Sequence, residues 1–379
     1  MRLTLFLTAF LMIGLLGYTA AQSGGQATGG QASGGDATGG QAAETSWTCP
    51  EGFEGQQLSV YNWSTYIAED TIPNFEELCG VTVTYDTFPT DDDMLAKIRQ
   101  GNPGYDIVVP SSTVLSLMIA EDLAQPVDMT TIPNFGNLGE TFVGLPFDPD
   151  NTYSVPYQWG TMGIGYNTEA VEGEVTSWDD MFNYSGSVSW LEDIRGMMGV
   201  ALLKLGYDPN TSDPERIQEA KDFLVENGNN VVYINQDDGQ EVLVRGEADM
   251  VVEYSGDIFQ VMEECDCDTY NYVIPEEGTL FWIDTLAIPV DAPNVELAKV
   301  FIDYLLDPQV SADIANYTAY GTPNNVALER GLIDPELAND PGIYPSQETR
   351  DNLFFVEQNP ERAELNYSAW DEVRIFVGQ

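Results

Sequence analysis

The chain has 379 residues, with 62 acidic and 13 basic side chains, no histidine and a formal net charge of −49 at pH 7. This charge excludes a nucleic-acid-binding protein, because phosphate groups require a basic surface. Acids occur along the whole chain, so the charge by itself indicates solubility or adaptation to high salt rather than a cationic ligand. The length allows two lobes or domains of ordinary size.

Residues 1–21 have the pattern of an export signal. Arg2 is the charged start, Leu3–Gly17 is the apolar run, and Thr19–Ala21 supplies small residues for cleavage. An uncleaved membrane anchor is the alternative, since Leu3–Ala21 approaches the ~20 residues that span a bilayer. No later apolar run in the sequence is long enough to span one. The prediction is an exported protein, either periplasmic or tethered at the cell surface.

Residues 22–55 are predicted to be a glycine-rich linker. Its repeat, GGQAT-GGQAS-GGDAT-GGQA at 24–42, has too few apolar side chains to form a core. A lipid anchor would need a cysteine just after the signal, whereas the first cysteine is Cys49. Lipid anchoring is therefore not predicted.

The four cysteines of this exported chain predict disulfides. They are Cys49, Cys79, Cys265 and Cys267. A metal site is the alternative, but there is no histidine and the Cys265–Cys267 spacing is tighter than that of zinc ligands. The sequence leaves all three possible pairings open.

Alternating strands and helices begin at residue 57. The apolar spacing predicts strands at 57–63, 81–85 and 105–110, a helix at 72–78, a helix between Asp91 and Gly101, and a helix opened by Ser111–Thr113. Such alternation predicts a parallel sheet covered by helices, in which ligands bind beyond the carboxyl ends of the strands.

Two later segments are predicted to cross between the lobes. The first is the run 160–167, which follows the piece 153–157 and is rich in glycine, a residue that tolerates unusual dihedral angles. The second is 278–289. Between and after them the spacing predicts strands at 186–191, 231–234 and 249–253, and helices at 197–204 and 295–306.

The predicted fold is therefore α/β and two-lobed, each lobe a mostly parallel sheet flanked by helices, with two crossing strands as the hinge. Lobe 1 is assigned residues 56–160 and 287–330, and lobe 2 residues 161–286 and 331–379. Two lobes joined in this way enclose a cleft that can open and close.

Aromatic rings and carboxylates recur at the predicted strand ends and crossings. Carboxylates hold ammonium groups through charge-assisted hydrogen bonds, and aromatic faces hold methylene chains and add about 0.5–2 kcal/mol of cation–π attraction per contact. This pattern favours a linear alkyl amine charged at both ends over a sugar, phosphate or oxyanion. The candidates are Trp63, Ser64, Tyr66, Ser111, Ser112, Glu192, Asp193, Tyr254, Asp257, Trp282, Asp284 and Tyr320.

Each candidate also has a purely structural interpretation. A single ring at a strand end is usually part of a core. Asp284 could pair with Arg245 or Arg330, and Asp257 could cap the helix that contains Ile258. Only the whole set, at the strand ends of two lobes, favours a ligand site.

Several segments together resemble the polyamine-binding proteins, of the spermidine/putrescine type, of bacterial ABC importers. They are NWSTY (62–66), VVPSS (108–112), PYQWGTMGIGYN (156–167), EYSGDIFQ (253–260), FWID (281–284) and AYGTPN (319–324). The resemblance covers about residues 56–375.

The resemblance implies the type II periplasmic-binding-protein fold and a monomeric receptor without a cofactor or metal. The ligand is held between the closed lobes and delivered to an ABC permease in the membrane. It also implies ligand contacts, which are Trp63, Ser64, Tyr66, Ser111, Asp193, Tyr254, Asp257, Trp282, Asp284, Tyr320 and Gln358.

Three positions depart from the family pattern. Gly196 stands where the family often has a glutamate, which removes one amine-binding acid. Arg195 would repel a cationic ligand, so its side chain is expected to point outward. Thr65 stands where some putrescine-preferring relatives have an acid, so the preferred amine is left open.

The function predicted is a non-catalytic polyamine receptor. One alternative keeps the fold but binds another small cation or amino compound. A second is a secreted hydrolase that uses two carboxylates, although no nucleophile motif, phosphate loop or metal cluster is evident in the sequence.

Overall fold

The computed structural model describes residues 45–265, 267–357 and 359–377. The predicted signal at 1–21 and the glycine repeat at 24–42 lie outside these residues. In the part of the chain that is described, no helix has both the length and the apolar character needed to cross a bilayer.

The described residues contain nine strands that join in one sheet. They are β1 (Gln57–Trp63), β2 (Thr82–Phe88), β3 (Ile107–Val108), β4 (Ser154–Asn167), β5 (Val188–Leu191), β6 (Val231–Asn235), β7 (Met250–Tyr254), β8 (Tyr270–Val273) and β9 (Phe281–Ala287).

Helices flank this sheet. They are α1 (Thr71–Cys79), α2 (Asp91–Arg99), α3 (Ser112–Ala120), α4 (Trp178–Phe182), α5 (Ile194–Lys204), α6 (Pro214–Asn227), α7 (Gly239–Val244), α8 (Ser255–Cys265), α9 (Val295–Leu305), α10 (Pro308–Thr318), α11 (Asn325–Glu329), α12 (Pro335–Ala338), α13 (Gln347–Arg350) and α14 (Pro360–Val377). Three short 3-10 turns lie at Met129–Thr131, Pro133–Asn137 and Glu140–Phe142.

The strand order is β2-β1-β3-β9-β4-β7-β5-β6, and β8 also pairs with β4. At one end β1 pairs in parallel with β2 and β3, and at the other end β5 pairs in parallel with β6 and β7. The long strands β4 and β9 are antiparallel to each other and join these two parallel sets. This arrangement confirms the predicted two-lobed α/β fold with two crossing strands, whereas the bounds assigned to each lobe stay a prediction.

Separate hydrophobic cores form on the two sides of the crossing strands. One core contains Phe75 and Phe301, and the other contains Trp178 and Trp370, all fully buried. Trp282 on β9 is partly buried against both cores, so it lies between the two halves.

Some elements differ from the predicted ones. The strand predicted at 105–110 is shorter in the structure, where β3 is Ile107–Val108, although the backbone N–H groups of Asp106 and Val109 also donate hydrogen bonds to Ser59 and Tyr61. Pro110, which follows, has no N–H to donate. The two predicted pieces at 153–157 and 160–167 form the single 14-residue strand β4.

The cysteines form two disulfides, Cys49–Cys79 and Cys265–Cys267, which confirms disulfides over a metal site. The first of them lies in a packed segment. Trp47 is buried, its indole N–H donates a hydrogen bond of 2.8 Å to Asp303, and its ring packs on Tyr304. The predicted linker bound at residue 55 is therefore too late, because packing begins before the first cysteine.

Candidate functional site

A cavity lies between the two halves of the sheet. Its lining is aromatic and acidic, with one basic side chain among the described residues. The lining residues are Trp63, Ser64, Tyr66, Asp91, Ser111, Ser112, Thr113, Asp193, Arg195, Asp237, Tyr254, Asp257, Leu280, Phe281, Trp282, Asp284, Tyr320, Phe355 and Val356.

Trp282 is at the centre of the aromatic wall. Its ring centroid lies 5.1 Å from that of Tyr320, 5.7 Å from that of Tyr254 and 6.4 Å from that of Tyr66. The first two contacts are edge-to-face, the geometry that aromatic quadrupoles prefer. The buried indole N–H of Trp282 has no hydrogen-bond partner among the described residues. The rings thus form one continuous apolar surface.

Two glycines make room for this wall. A Cβ atom at Gly160 would lie 2.6 Å from the Trp282 ring, and one at Gly256 would lie 2.5 Å from the Tyr320 ring. Both distances are shorter than van der Waals contact allows. The glycines of 160–167 were predicted to serve unusual dihedral angles, whereas at Gly160 the structure requires close approach.

Asp284 on β9 is one of two carboxylates paired with a tyrosine in the cavity. Tyr66 follows β1 and donates a hydrogen bond of 2.9 Å from its hydroxyl to Asp284. Burial raises the pKa of Asp284 well above its ordinary value, and the charge of Asp91 raises it further. Burial also raises the pKa of Tyr66, with Asp284 adding to the effect, so the tyrosine keeps its proton and is the donor. Asp284 does not pair with Arg245, which instead contacts Glu241 and Glu247.

Asp257 is the second such carboxylate. It lies in the first turn of α8, where the helix dipole favours an acid. Tyr320 donates a hydrogen bond of 2.5 Å to it. Burial raises the pKa of Asp257 to about 6, although the hydrogen bond from Tyr320 lowers it. Asp257 is thus the third residue of α8 rather than its cap, and it lies in the cavity wall.

Asp237 and Glu253 form a carboxylate cluster with Asp257. One oxygen from each of the three lies within 4.8 Å of the others. Glu253 is fully buried and accepts hydrogen bonds of 2.9 Å from the backbone N–H groups of Gly239 and Tyr254. Burial raises the pKa of both Asp237 and Glu253 well above the ordinary value, and the neighbouring carboxylates add to it. Three acids this close favour a cation between them.

Arg195 faces the cavity, so the prediction that it points outward is wrong. Its guanidinium lies 3.9 Å from the carboxylate of Asp91 on α2. Burial alone would lower the pKa of Arg195, but the charges of Asp193 and Asp91 outweigh it and raise the pKa. Asp193 itself caps α5 by accepting a hydrogen bond of 3.0 Å from the Gly196 N–H. It also accepts one of 3.2 Å from the Tyr254 hydroxyl.

Gly196 leaves no space for the acid that the family resemblance implies. A Cβ atom there would lie 2.7 Å from the sulfur of Met162 and 3.1 Å from a carboxylate oxygen of Asp193. A longer side chain is therefore excluded unless Met162 moves. At this corner of the cavity Arg195 adds a positive charge and no further carboxylate is present.

Ser111 forms hydrogen bonds both to Asp91 and to the first turn of α3. Its hydroxyl donates a hydrogen bond to Asp91 and accepts one from the Val114 N–H as the cap of α3. Its backbone N–H also donates to Asp91, at 3.2 Å. Ser111 thus holds the partner of Arg195 in place.

The turn after β1 presents Ser64 and Tyr66 to the cavity. Thr65 between them has a φ of 47° and does not line the cavity. A β-branched residue is disfavoured in this left-handed region, and such strain is typical of functional turns.

Ten of the eleven predicted contacts line this one cavity, and their ligand contacts stay predictions. They are Trp63, Ser64, Tyr66, Ser111, Asp193, Tyr254, Asp257, Trp282, Asp284 and Tyr320. The remaining one, Gln358, lies outside the described residues.

The acids Asp91 and Asp237 were missed. Both follow the carboxyl end of a parallel strand, Asp91 after β2 and Asp237 after β6. The rule that ligands bind beyond such ends would have found them, but Asp91 was interpreted only as the start of a helix.

Comparison with known proteins identifies the family of the chain. The sequence profile of the family described as bacterial extracellular solute-binding protein matches residues 71–345. The spermidine/putrescine-binding periplasmic protein of Escherichia coli (strain K12) is 37% identical over 303 residues, which cover 79% of this chain and 86% of that protein. The putrescine-binding periplasmic protein PotF of the same strain is 34% identical, covering 85% and 92%.

A solved structure supports the same family assignment. The spermidine/putrescine ABC transporter substrate-binding protein PotD from Streptococcus pneumoniae is 32% identical, with a TM-score of 0.75, and the match covers 85% of this chain and all of that one. The chain therefore belongs to the bacterial extracellular solute-binding proteins.

Proposed function

We propose that this protein is the non-catalytic receptor of an ABC importer and that its ligand is a polyamine. It captures the ligand between its two lobes, outside the cytoplasm, and delivers it to a permease in the membrane. The receptor acts as a monomer and needs no cofactor.

The observation that carries the proposal is the position of Asp257 and Asp284 on the wall that Trp282 shares with Tyr66 and Tyr320. Each carboxylate accepts a single tyrosine hydrogen bond, and both line the cavity. A carboxylate oxygen accepts more than one hydrogen bond, so each acid can still accept an ammonium N–H. The rings between them suit a methylene chain.

The charges of the lining residues also argue against an anionic ligand. A phosphate or a sugar acid would need several bases. Arg195, which already pairs with Asp91 and lies near the charge of Asp193, is the single base among the described lining residues. The names of the relatives agree with an amine ligand, since those proteins bind spermidine or putrescine.

Calorimetry of the full mature chain tests the proposal. Putrescine, cadaverine, spermidine and spermine are titrated separately, and at least one should bind with a Kd in the micromolar range or below, about −8 kcal/mol. A bound ligand should also raise the melting temperature, because it stabilises only the folded state.

A neutral sugar and an anionic peptide serve as controls. If no amine produces heat or raises the melting temperature while either control does, the polyamine assignment is wrong and the fold carries a different ligand. Catalysis by the two acids would instead appear as turnover of a glycoside that is lost in Asp257→Asn.

A further inference from the structure

Tyr367 on α14 and Asp92 on α2 form a hydrogen bond between the two halves of the molecule. The phenol hydroxyl lies 2.9 Å from a carboxylate oxygen of Asp92, although the two residues are 275 positions apart in the chain. Trp370 anchors α14 in the core on one side of the crossing strands. Met94 anchors α2 on the other side, in a core that it shares with Phe88 of β2. The bond therefore joins helices that belong to different halves.

The pair lies outside the ligand cavity. Neither Tyr367 nor Asp92 is among the described lining residues, and both are exposed to solvent, Tyr367 by 40%. The preceding residue, Asp91, does line the cavity and contacts Arg195 from the other half. Adjacent acids of α2 thus have different surroundings, and only Asp91 lies where a ligand can reach it.

The three acids that open α2 have separate partners. Asp91 accepts hydrogen bonds from Ser111, and Asp93 accepts one of 3.0 Å from the Thr90 hydroxyl. These two acids are held by residues of their own half, whereas Asp92 accepts its hydrogen bond from the other half.

Tyr367 is the donor in this bond. Burial raises the pKa of Tyr367; the charge of Arg195 opposes this effect and that of Asp92 adds to it. The phenol therefore keeps its proton at neutral pH. A hydrogen bond to a charged carboxylate is stronger than one between neutral groups, and it is lost when its two atoms separate by more than about an ångström. A rotation that opens the cleft would break it.

We propose that the Tyr367–Asp92 pair is a latch that holds the two halves closed around the bound ligand and slows its release. Tyr367 is thus a positioning residue, which stabilises the closed form without contacting the ligand. This inference rests on the proposed function and deepens it.

A contact that exists only in the closed form acts on dissociation. The ligand enters an open cleft, in which the latch is not formed, so the association rate should not depend on the latch. Release requires opening, and opening breaks the bond. Because the latch does not contact the ligand, its loss should raise the dissociation rate constant, koff, by the same factor for every amine.

The test measures koff by adding excess unlabelled amine to the full mature chain loaded with radiolabelled putrescine or spermidine. Tyr367→Phe removes only the hydroxyl and should raise koff about three- to tenfold for both amines, so that the ratio of their Kd values stays unchanged. Tyr207→Phe is the matched control. The Tyr207 hydroxyl also donates to a carboxylate, that of Glu219 on α6, but within one half, so its loss should leave koff unchanged.

Variants of Asp92 test the pairing. Asp92→Ala should raise koff by a similar factor, and adding it to Tyr367→Phe should raise koff no further, because the two partners of one bond are not additive. Asp92→Asn keeps an acceptor oxygen and should have a smaller effect in the same direction. It replaces Asp92→Ala if a thermal melt shows that the latter does not fold.

An unchanged koff in Tyr367→Phe, in protein that still binds putrescine, overturns the inference and leaves the proposed function intact. A double variant whose koff equals the product of the two single effects overturns the pairing with Asp92. A changed ratio of the Kd values shows that the phenol acts on the ligand itself and also overturns the latch. If neither the wild type nor any variant binds an amine, the proposed function fails, and the inference fails with it.

Discussion

The hydroxyl of Tyr66 lies 2.9 Å from a carboxylate oxygen of Asp284, although the two residues are 218 positions apart in the chain. Tyr66 follows β1 in one half of the sheet, whereas Asp284 is on the crossing strand β9. The crossing strand is thereby tied to the wall of one lobe at the point where a ligand would bind.

The first prediction concerns the charge of Asp284. Asp284→Asn should weaken polyamine binding more than tenfold, about 1.4 kcal/mol, because the neutral amide loses the charge-assisted bond to the ammonium group. Calorimetry measures the change. Asp371→Asn, on the exposed face of α14, is the matched control. Equal affinities of the two variants for the polyamine would show that Asp284 does not bind the ligand.

The second prediction concerns pH. Burial raises the pKa of Asp257 to about 6, and an ammonium group binds its charged form. Affinity should therefore fall as the pH decreases through about 6, and binding near that pH should release protons from Asp257 and its neighbours Asp237 and Glu253. Titrations in two buffers of different ionisation enthalpy count these protons, and Asp257→Asn should reduce their number. Identical heats in both buffers would contradict the prediction.

The same raised pKa of Asp257 gives the stability of the ligand-free protein a pH dependence opposite to that of ligand affinity. A folded-state pKa of about 6 exceeds the unfolded value of about 3.9, so the native state binds more protons between them. The contribution of Asp257 to the free energy of unfolding is thus largest below about pH 4 and decreases as the pH rises toward 6. Denaturant titrations of wild type and Asp257→Asn over this window should show the difference.

The third prediction concerns the close approach of the Gly160 backbone to the Trp282 ring. In Gly160→Ala the new methyl group would meet the Trp282 ring at 2.6 Å, so the ring must shift into the cavity. Polyamine affinity should fall at least tenfold, and the tryptophan fluorescence should change. Gly136→Ala is the control, because a Cβ there meets nothing within 4 Å. Unchanged binding in both variants would show that the ring moves without affecting the ligand.

The fourth prediction separates the two disulfides. Cys49–Cys79 closes a loop of 30 residues, whereas Cys265 and Cys267 are two residues apart. Restricting the larger loop in the unfolded chain is worth about 3–4 kcal/mol. Replacing both Cys49 and Cys79 by alanine should lower the melting temperature by several degrees, whereas the same change at Cys265 and Cys267 should alter it little. Equal effects of the two double variants would contradict the loop-length argument.

Sequence reasoning located most of the site because strand ends are readable from local patterns. Trp63 ends the first predicted strand and Tyr66 follows it, whereas Trp282 and Asp284 lie on a crossing segment. The rule that ligands bind at strand ends therefore brought them together correctly. The same local patterns could not give the pairing of β4 with both β9 and β7, which depends on contacts far apart in the chain.

The side-chain direction of Arg195 could not be predicted from the sequence for a similar reason. A base in an acidic ligand site is unfavourable when considered alone, so an outward direction was the natural expectation. The structure pairs it instead with Asp91, an acid that is more than 100 positions earlier in the chain. Only the packing of α2 against the other half makes that partner available.

Strand β4 continues without a break through both halves of the molecule. As a result, adjacent residues on it pair with different strands: Thr161 pairs with Phe281 on β9, and Met162 pairs with Tyr254 on β7. Because β4 joins the two halves, a rotation of one half against the other should change main-chain torsions along this strand. Isotope-labelled amides at Thr161 and Met162 should therefore shift in nuclear magnetic resonance spectra when the cleft closes, and they offer a probe of closure that needs no attached dye.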